Sequence, residues 1–206
     1  MPSAPKKLIL ASRSPRRSEL LRSLGLEFEV SPSHVEETTD PALTPEQNAR
    51  NTARDKARRV ARQHPGTYVL GADTMVVLGR EIIGQPADAE DACRILLKLA
   101  GKRHRVVTGV VLITPDGKEH ETAVASTVAI QSVSREEIRS YVATGEPLDK
   151  AGAYAIQGKG SFLVESWEGS KSNIIGLPLE ALTALFRQAG FPLPPQIESP
   201  ADERSA

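Results

Sequence analysis

A single cysteine stands in 206 residues, so no internal disulfide braces this fold. That residue, Cys93, lies in an apolar helical pattern with Ala92, Ile95, Leu96 and Leu99 and reads as core filler. Aromatic residues make up 4% of the chain, too few for a platform that stacks nucleic-acid bases. Neither sign of charge prevails, because 26 Lys and Arg face 26 Asp and Glu. A global basic field for nucleic acid or a membrane surface is therefore missing. No apolar run reaches the roughly 20 residues of a membrane span. The two lysines before Leu8 precede no long apolar segment of the signal-peptide kind. These absences imply a cytoplasmic protein without nucleic-acid or membrane partners. Several catalytic motifs are also missing: a phosphate-binding Gly-x-x-x-x-Gly-Lys-Ser/Thr loop, His-Glu-x-x-His, a paired Cys/His ligand set and a Gly-x-Ser-x-Gly elbow. The four histidines, His34, His64, His104 and His120, sit beside turns and are expected to face solvent.

What is present starts at Leu8-Ile-Leu-Ala-Ser-Arg-Ser-Pro-Arg-Arg. An apolar strand runs into a polar turn, and Ser14 with Pro15 opens a helix. Leu20, Leu21 and Leu24 form its apolar face, and Gly25 stops it. Arg13, Arg16 and Arg17 crowd the helix start, where the helix dipole is already positive. A chain that accepts this repulsion is expected to hold an anion there, and a polyphosphate suits arginines beside free backbone N–H groups.

Further along, Glu27 to Ser31 reads as a second strand and His34 to Leu43 as an acidic loop carrying Glu36, Glu37 and Asp40. Thr44-Pro-Glu-Gln47 is a capping box opening a cation-rich helix to about Gln63. Most of its cations read as a solvated face, whereas Lys56 falls near the apolar stripe of Ala53, Ala57 and Val60. Tyr68 to Leu78 reads as buried strand interrupted by Gly71, Ala72, Asp73 and Thr74. A carboxylate in such a setting must be paired, metal-bound or catalytic to offset its burial. Gly79-Arg80 turns a hairpin, Asp88 caps a helix to Leu99, and Arg105–Thr114 with Thr122–Gln131 form a long hairpin. Ser134-Arg-Glu-Glu137 is a second capping box, for a helix to Thr144. The glycine-rich stretch Glu146 to Ser161 has a short strand-like centre at 153–156. A strand at Phe162 to Glu165, a loop at Ser170 to Gly176 and a last helix to Ala189 follow.

The expected architecture is α/β: a mixed sheet flanked by helices, in two lobes around a cleft. It comprises one domain over 1–190 and a disordered, Pro- and Ser-rich tail over 191–206. The Ser12 turn, Asp73 and the Tyr154–Gln157 segment would line the cleft. There Glu37 and Asp73 could hold a hard divalent cation, Mg²⁺ or Mn²⁺, Arg17 and Lys56 could neutralise phosphates, and Asp73 could deprotonate a water. On the residues alone this is a phosphate-ester or phosphoanhydride hydrolase.

Five motifs in order resemble the Maf family: Leu10-Ala-Ser-Arg-Ser-Pro-Arg-Arg-x-Glu-Leu-Leu21, Gly71-Ala-Asp-Thr74, Glu146-Pro-Leu-Asp-Lys-Ala-Gly-Ala-Tyr154, Ile156-Gln-Gly158 and Ser172-Asn-x-x-Gly-Leu-Pro-Leu179. The resemblance spans nearly the whole chain. It implies a nucleoside triphosphate pyrophosphatase with a fold akin to the inosine triphosphatases (Maf/Ham1), a divalent metal and a homodimer. It also implies an older link to septum formation. By the same resemblance Asp73 is the proton acceptor, and Ser12, Arg17, Glu37 and Lys56 serve phosphate and metal. Arg16, Thr74 and Gln157 choose the nucleotide and look like the branch acting on dTTP and UTP. A neutral amide at Gln157 both donates and accepts toward a pyrimidine edge, whereas the carboxylate of the 7-methyl-GTP branch only accepts. One position departs: Gln85 stands before Pro86 where the family usually carries Lys. Arg80 and Lys159 are the candidate replacements. Loss of the lysine leaves a second reading open, a catalytically impaired nucleotide-binding regulator of cell division.

Overall fold

Residues 7–198 are described by a computed structural model. The leading apolar tripeptide forms β1 (Leu8–Leu10), fully buried, and Ser14 caps α1 (Pro15–Ser23) by accepting the Arg17 N–H. β2 (Glu29–Val30) is shorter than the strand expected from Glu27 to Ser31. The Thr44 capping box opens α2 (Pro45–Ala61) as expected. The central strand β3 (Tyr68–Leu78) is followed by β4 (Glu81–Ile83), α3 (Ala89–Leu99) capped by Asp88, and the long hairpin of β5 (Arg103–Ile113) and β6 (Glu119–Ile130). Then come α4 (Arg135–Val142), β7 (Val164–Glu168), α5 (Lys171–Ile175), α6 (Leu179–Gln188) and the single turn α7 (Pro195–Glu198).

The seven strands make one mixed sheet in the order β2-β1-β3-β5-β6-β7, with β4 also paired to β3. β1 runs parallel to β2 and β3, and the other pairs are antiparallel. Alternation along β3 and β5 gives the sheet two apolar faces. On one, Val69 and Val111 meet Ala53, Ala57 and Val60 of α2. The other carries two lobes. Leu70 and Leu112 pack under α1 and α6 with Leu21 and Phe186, whereas Val76, Val106 and Val128 pack under α3 and α4 with Leu96 and Ile138.

Between the lobes lies a gap in one sheet edge. β1 pairs with β3 from Tyr68 to Leu70, and β4 pairs with the same edge of β3 only from Val76. The intervening residues 71–75 keep a continuous partner, β5, on their other edge alone. A place where neighbouring strands diverge is where open α/β sheets receive ligands.

The small residues within β3 do not interrupt the strand; they admit α2. A Cβ on Gly71 would come within 2.2 Å of the Ala53 carbonyl oxygen, and one on Gly109 within 2.4 Å of Ala49. Two glycines below and a stripe of alanines above let the helix backbone lie directly on the sheet. Gly71→Ala is expected to lower stability by about 1–3 kcal/mol, the cost of overpacking a closed core. Chemical denaturation reads this directly, and an unshifted midpoint would contradict so tight a seat.

Four other expectations are corrected. Residues 171–175, read as loop, form α5 around the fully buried Asn173, whose amide donates to the Val106 carbonyl and the Ser126 hydroxyl at 2.9 Å each. Residues 153–156 form no strand; Gly152 and Ala153 both take positive φ in a 3-10 turn. Residues 191–198 are not a loose tail. Phe191 is buried against Phe186 and Tyr68, with ring centroids 4.7 and 5.0 Å away, and Leu193 is buried beside them. Proline content masked two apolar anchors; residues 199–206 lie outside the described chain. Lastly, His104 is buried, not exposed, with Nε2 2.7 Å from the Tyr154 hydroxyl. Burial lowers its pKa to about 4, so the imidazole is neutral near pH 7.

Candidate active site

The notch in the sheet opens into a cleft of about 590 Å³, within the usual size of small-molecule sites. These sequence-derived candidates border it: Ser12, Arg16 and Arg17 from the β1–α1 turn, Glu37 from the acidic loop and Lys56 from α2. Asp73 and Thr74 come from β3, Gln85 follows β4 and Gln157 is on the far wall. Asp73 and Thr74 are consecutive, so their side chains leave opposite faces of β3. Both reach the cleft because the sheet edge is open beside them.

On the α2 face the seat over Gly71 brings Lys56 to Asp73. The Lys56 Nζ lies 2.7 Å from Asp73 Oδ1 and 2.6 Å from Glu37 Oε1. Lys56 and Asp73 are both buried, whereas the Glu37 side chain is 58% exposed. Burial pushes the Asp73 carboxyl above its ordinary value; Lys56 and Arg17 pull it back, and Glu37 adds to the rise.

On the opposite face Arg17 is locked in place. Its Nε donates to the Gly176 carbonyl at 2.8 Å, Nη1 to the Ser12 hydroxyl at 3.2 Å and Nη2 to the Thr74 hydroxyl at 3.0 Å. The Ser172-Asn-x-x-Gly motif thus supplies a carbonyl that orients an arginine across the fold. A guanidinium has five N–H donors, so two remain for an anion. Arg16 instead crosses the cleft to Asp149 Oδ2 at 3.1 Å, and the Gln85 amide donates to the Asp149 carbonyl at 3.2 Å.

Five cationic side chains border the cleft (Arg13, Arg16, Arg17, Lys56 and Lys150) against the carboxylates of Glu37, Asp73 and Asp149. A neutral chain thus concentrates positive charge at one concave place, an arrangement for a polyanion. Three cations of α2 outside the cleft pair with carboxylates of β6: Arg58 Nε lies 2.6 Å from Glu119, Arg50 Nε 3.6 Å from Glu121, and Arg54 meets both, whereas Arg59 is exposed.

Arg80 and Lys159, the candidate replacements for a lysine at position 85, do not border the cleft. Lys150 does, with its Nζ 2.6 Å from Asp149 Oδ1. It was overlooked although it lies inside the Glu146–Tyr154 motif; its place beside Gln85 depends on a tertiary approach that spacing does not reveal. Among the described residues no cluster of three or more His, Cys, Asp or Glu side chains forms a metal cage. Glu37 and Asp73 nevertheless converge on a single cation, the ammonium of Lys56.

Comparison with known proteins agrees with these motifs. Residues 7–189 match the family described as Maf-like protein. A dTTP/UTP pyrophosphatase of Anaeromyxobacter dehalogenans (strain 2CP-C) is 51% identical over 191 residues, covering 91% of this chain and 96% of that protein. Proteins of the same name from Myxococcus xanthus and Dictyoglomus thermophilum are 50% and 47% identical, each over 91% of this chain and covering 94% and 98% of those proteins. Among solved structures, a HAM1 protein from Coxiella burnetii aligns with 89% of this chain and 100% of its own at 16% identity, with a TM-score of 0.48. With half its residues shared with such relatives over nearly their whole length, the chain belongs to the Maf-like protein family.

Proposed function

We propose that this protein is a nucleoside triphosphate pyrophosphatase that hydrolyses dTTP and UTP, and modified pyrimidine nucleotides of the same shape. The bond broken lies between the α- and β-phosphates, and the products are the monophosphate and pyrophosphate. The observation that carries the reading is Asp73, a buried carboxylate with a raised pKa at the open sheet edge of a cationic cleft. The names of the 47–51% identical relatives support the substrate.

In this reading Asp73 takes a proton from the attacking water. Its Oδ1 accepts the Lys56 hydrogen bond, which leaves Oδ2 for the proton. Burial raises the proton affinity, while Lys56 and Arg17 favour the ionised form. The free N–H groups of Arg17, the Ser12 hydroxyl and Lys56 bind phosphate oxygens, and Gln85 with Lys150 borders the other side. Arg16, Thr74 and Gln157 meet the base and sugar. Two carboxylates aimed at one point are hard oxygen donors of the kind that Mg²⁺ or Mn²⁺ takes together with substrate phosphates. Glu37 and Asp73 would therefore hold the cation. When bound, the cation neutralises phosphate charge. The same reading comprises one catalytic domain over 1–190 working as a homodimer in the cytoplasm.

A pyrophosphate-release assay across dTTP, UTP, CTP and 7-methyl-GTP tests the proposal. Release from dTTP and UTP is expected, and silence across the panel would overturn it in favour of a nucleotide-binding regulator. Gln85→Lys is expected to raise kcat/KM for dTTP about tenfold, the lower end of the ~1.5–3 kcal/mol of a hydrogen bond to a charged group. The lower end applies because Lys150 already lends a cation to that wall. An unchanged kcat/KM would show that position 85 does not meet phosphate.

A further inference from the structure

Gln157 borders the cleft as an exposed side chain, so its aim depends on the backbone that carries it. That backbone is tied at both ends. Upstream, Tyr154 is fixed in the core by its 2.7 Å contact with His104. Downstream, a single carboxylate collects three donors. Glu146 Oε1 accepts the Gly160 N–H at 2.9 Å and the Tyr141 hydroxyl at 3.0 Å, and Oε2 accepts the Lys159 N–H at 3.0 Å. Successive backbone N–H groups in a turn make a concave anion site, and here the chain's own carboxylate fills it. Gly158, just before them, has φ 74°, and a Cβ there would come within 2.9 Å of Glu146 Oε2. The carboxylate thus lies directly against the backbone that follows Gln157, and bonds to a charged acceptor are the strong kind.

We propose that Glu146 is a positioning residue for nucleotide choice: it holds the 158–160 turn so that Gln157 meets the nucleobase edge. The proposal rests on the pyrimidine-triphosphate reading above. Glu146 itself touches no substrate in it. Its effect is on which base is accepted, not on the chemistry at Asp73.

Glu146→Gln keeps the size of the side chain and removes one acceptor, because the amide nitrogen cannot receive an N–H. In the full-length protein, KM for dTTP and UTP is expected to rise about tenfold with kcat within about twofold, the signature of lost binding common to ground and transition states. The preference for UTP over CTP is expected to fall at least about fivefold, since a misaimed amide no longer distinguishes the two edges. Hydrogen exchange at the Lys159 and Gly160 amides should quicken without nucleotide. Tyr141→Phe retains both backbone bonds and is expected to keep wild-type selectivity. If the Gln variant melts early, Glu146→Asp, which retains charge but not reach, should show an intermediate loss of selectivity. An active wild type with unchanged selectivity in both Glu146 variants would overturn the proposal alone, as would a fall in kcat shared equally by all nucleotides. A wild type idle on both dTTP and UTP would overturn the pyrimidine reading and this proposal with it.

Discussion

Asp73→Asn is expected to lower kcat by about 10²–10⁴, the usual worth of a positioned general base, while the protein stays folded. The two side chains have nearly the same shape, and an amide oxygen can still accept the Lys56 hydrogen bond at Oδ1. Lys56 also retains Glu37 at 2.6 Å, so its ammonium is not stranded in the core. What the amide cannot do is take a proton from water. Single-turnover kinetics beside a thermal melt separates the two effects. Activity within tenfold of wild type would show that another group is the base. An early melt would instead place Asp73 mainly in the packing of α2 on the sheet.

Lys56→Met is the second large effect, and it reaches both stability and pH dependence. Removing one partner of a buried ion pair costs about 3–5 kcal/mol when the other stays charged. Asp73, at 4% exposure, has Arg17 as its other stabilising cation, and Arg17 is held on the opposite face by Ser12, Thr74 and Gly176. The carboxyl escapes the cost by binding a proton, so its pKa, already above the ordinary 3.8, rises further. The acidic limb of kcat/KM should therefore move to higher pH in the variant. The sign for stability follows from the same shift. An acid with a raised folded pKa binds more protons folded than unfolded, so its stabilising contribution is present at low pH and fades as pH rises through the folded value. The stability deficit of Lys56→Met should accordingly shrink as pH is lowered toward 4. A deficit independent of pH would mean that Lys56 contributes packing and not charge.

Features governed by neighbouring residues were legible without the fold. Ser14, Thr44, Asp88 and Ser134 cap the helices they were expected to cap, because capping depends on three or four consecutive residues. Asp73 stood out because a carboxylate amid apolar strand is costly wherever the strand goes. Lys56 was half-legible: its register on the apolar stripe was visible, but not the carboxylate across from it. The edge gap that makes the site was not legible, since it arises from β1 and β4 sharing one side of β3 at different registers. For the same reason Gly71 read as an interruption, although it seats Ala53 and Ala57 of a helix earlier in the chain. His104 was expected to face solvent because it lies beside a turn, yet strand alternation turns the imidazole inward. Asn173 and α5 were missed because a polar side chain at full burial reveals itself only through its partners.

The central claim is that a cleft built on Asp73 cuts a pyrimidine nucleoside triphosphate between its α- and β-phosphates. Phosphorus NMR of dTTP with Mg²⁺ and catalytic protein tests it most directly. The account predicts that the triphosphate signals give way to those of dTMP and pyrophosphate, and that they persist with Asp73→Asn. Appearance of dTDP with inorganic phosphate, or dTTP left intact by the wild-type protein, would contradict it.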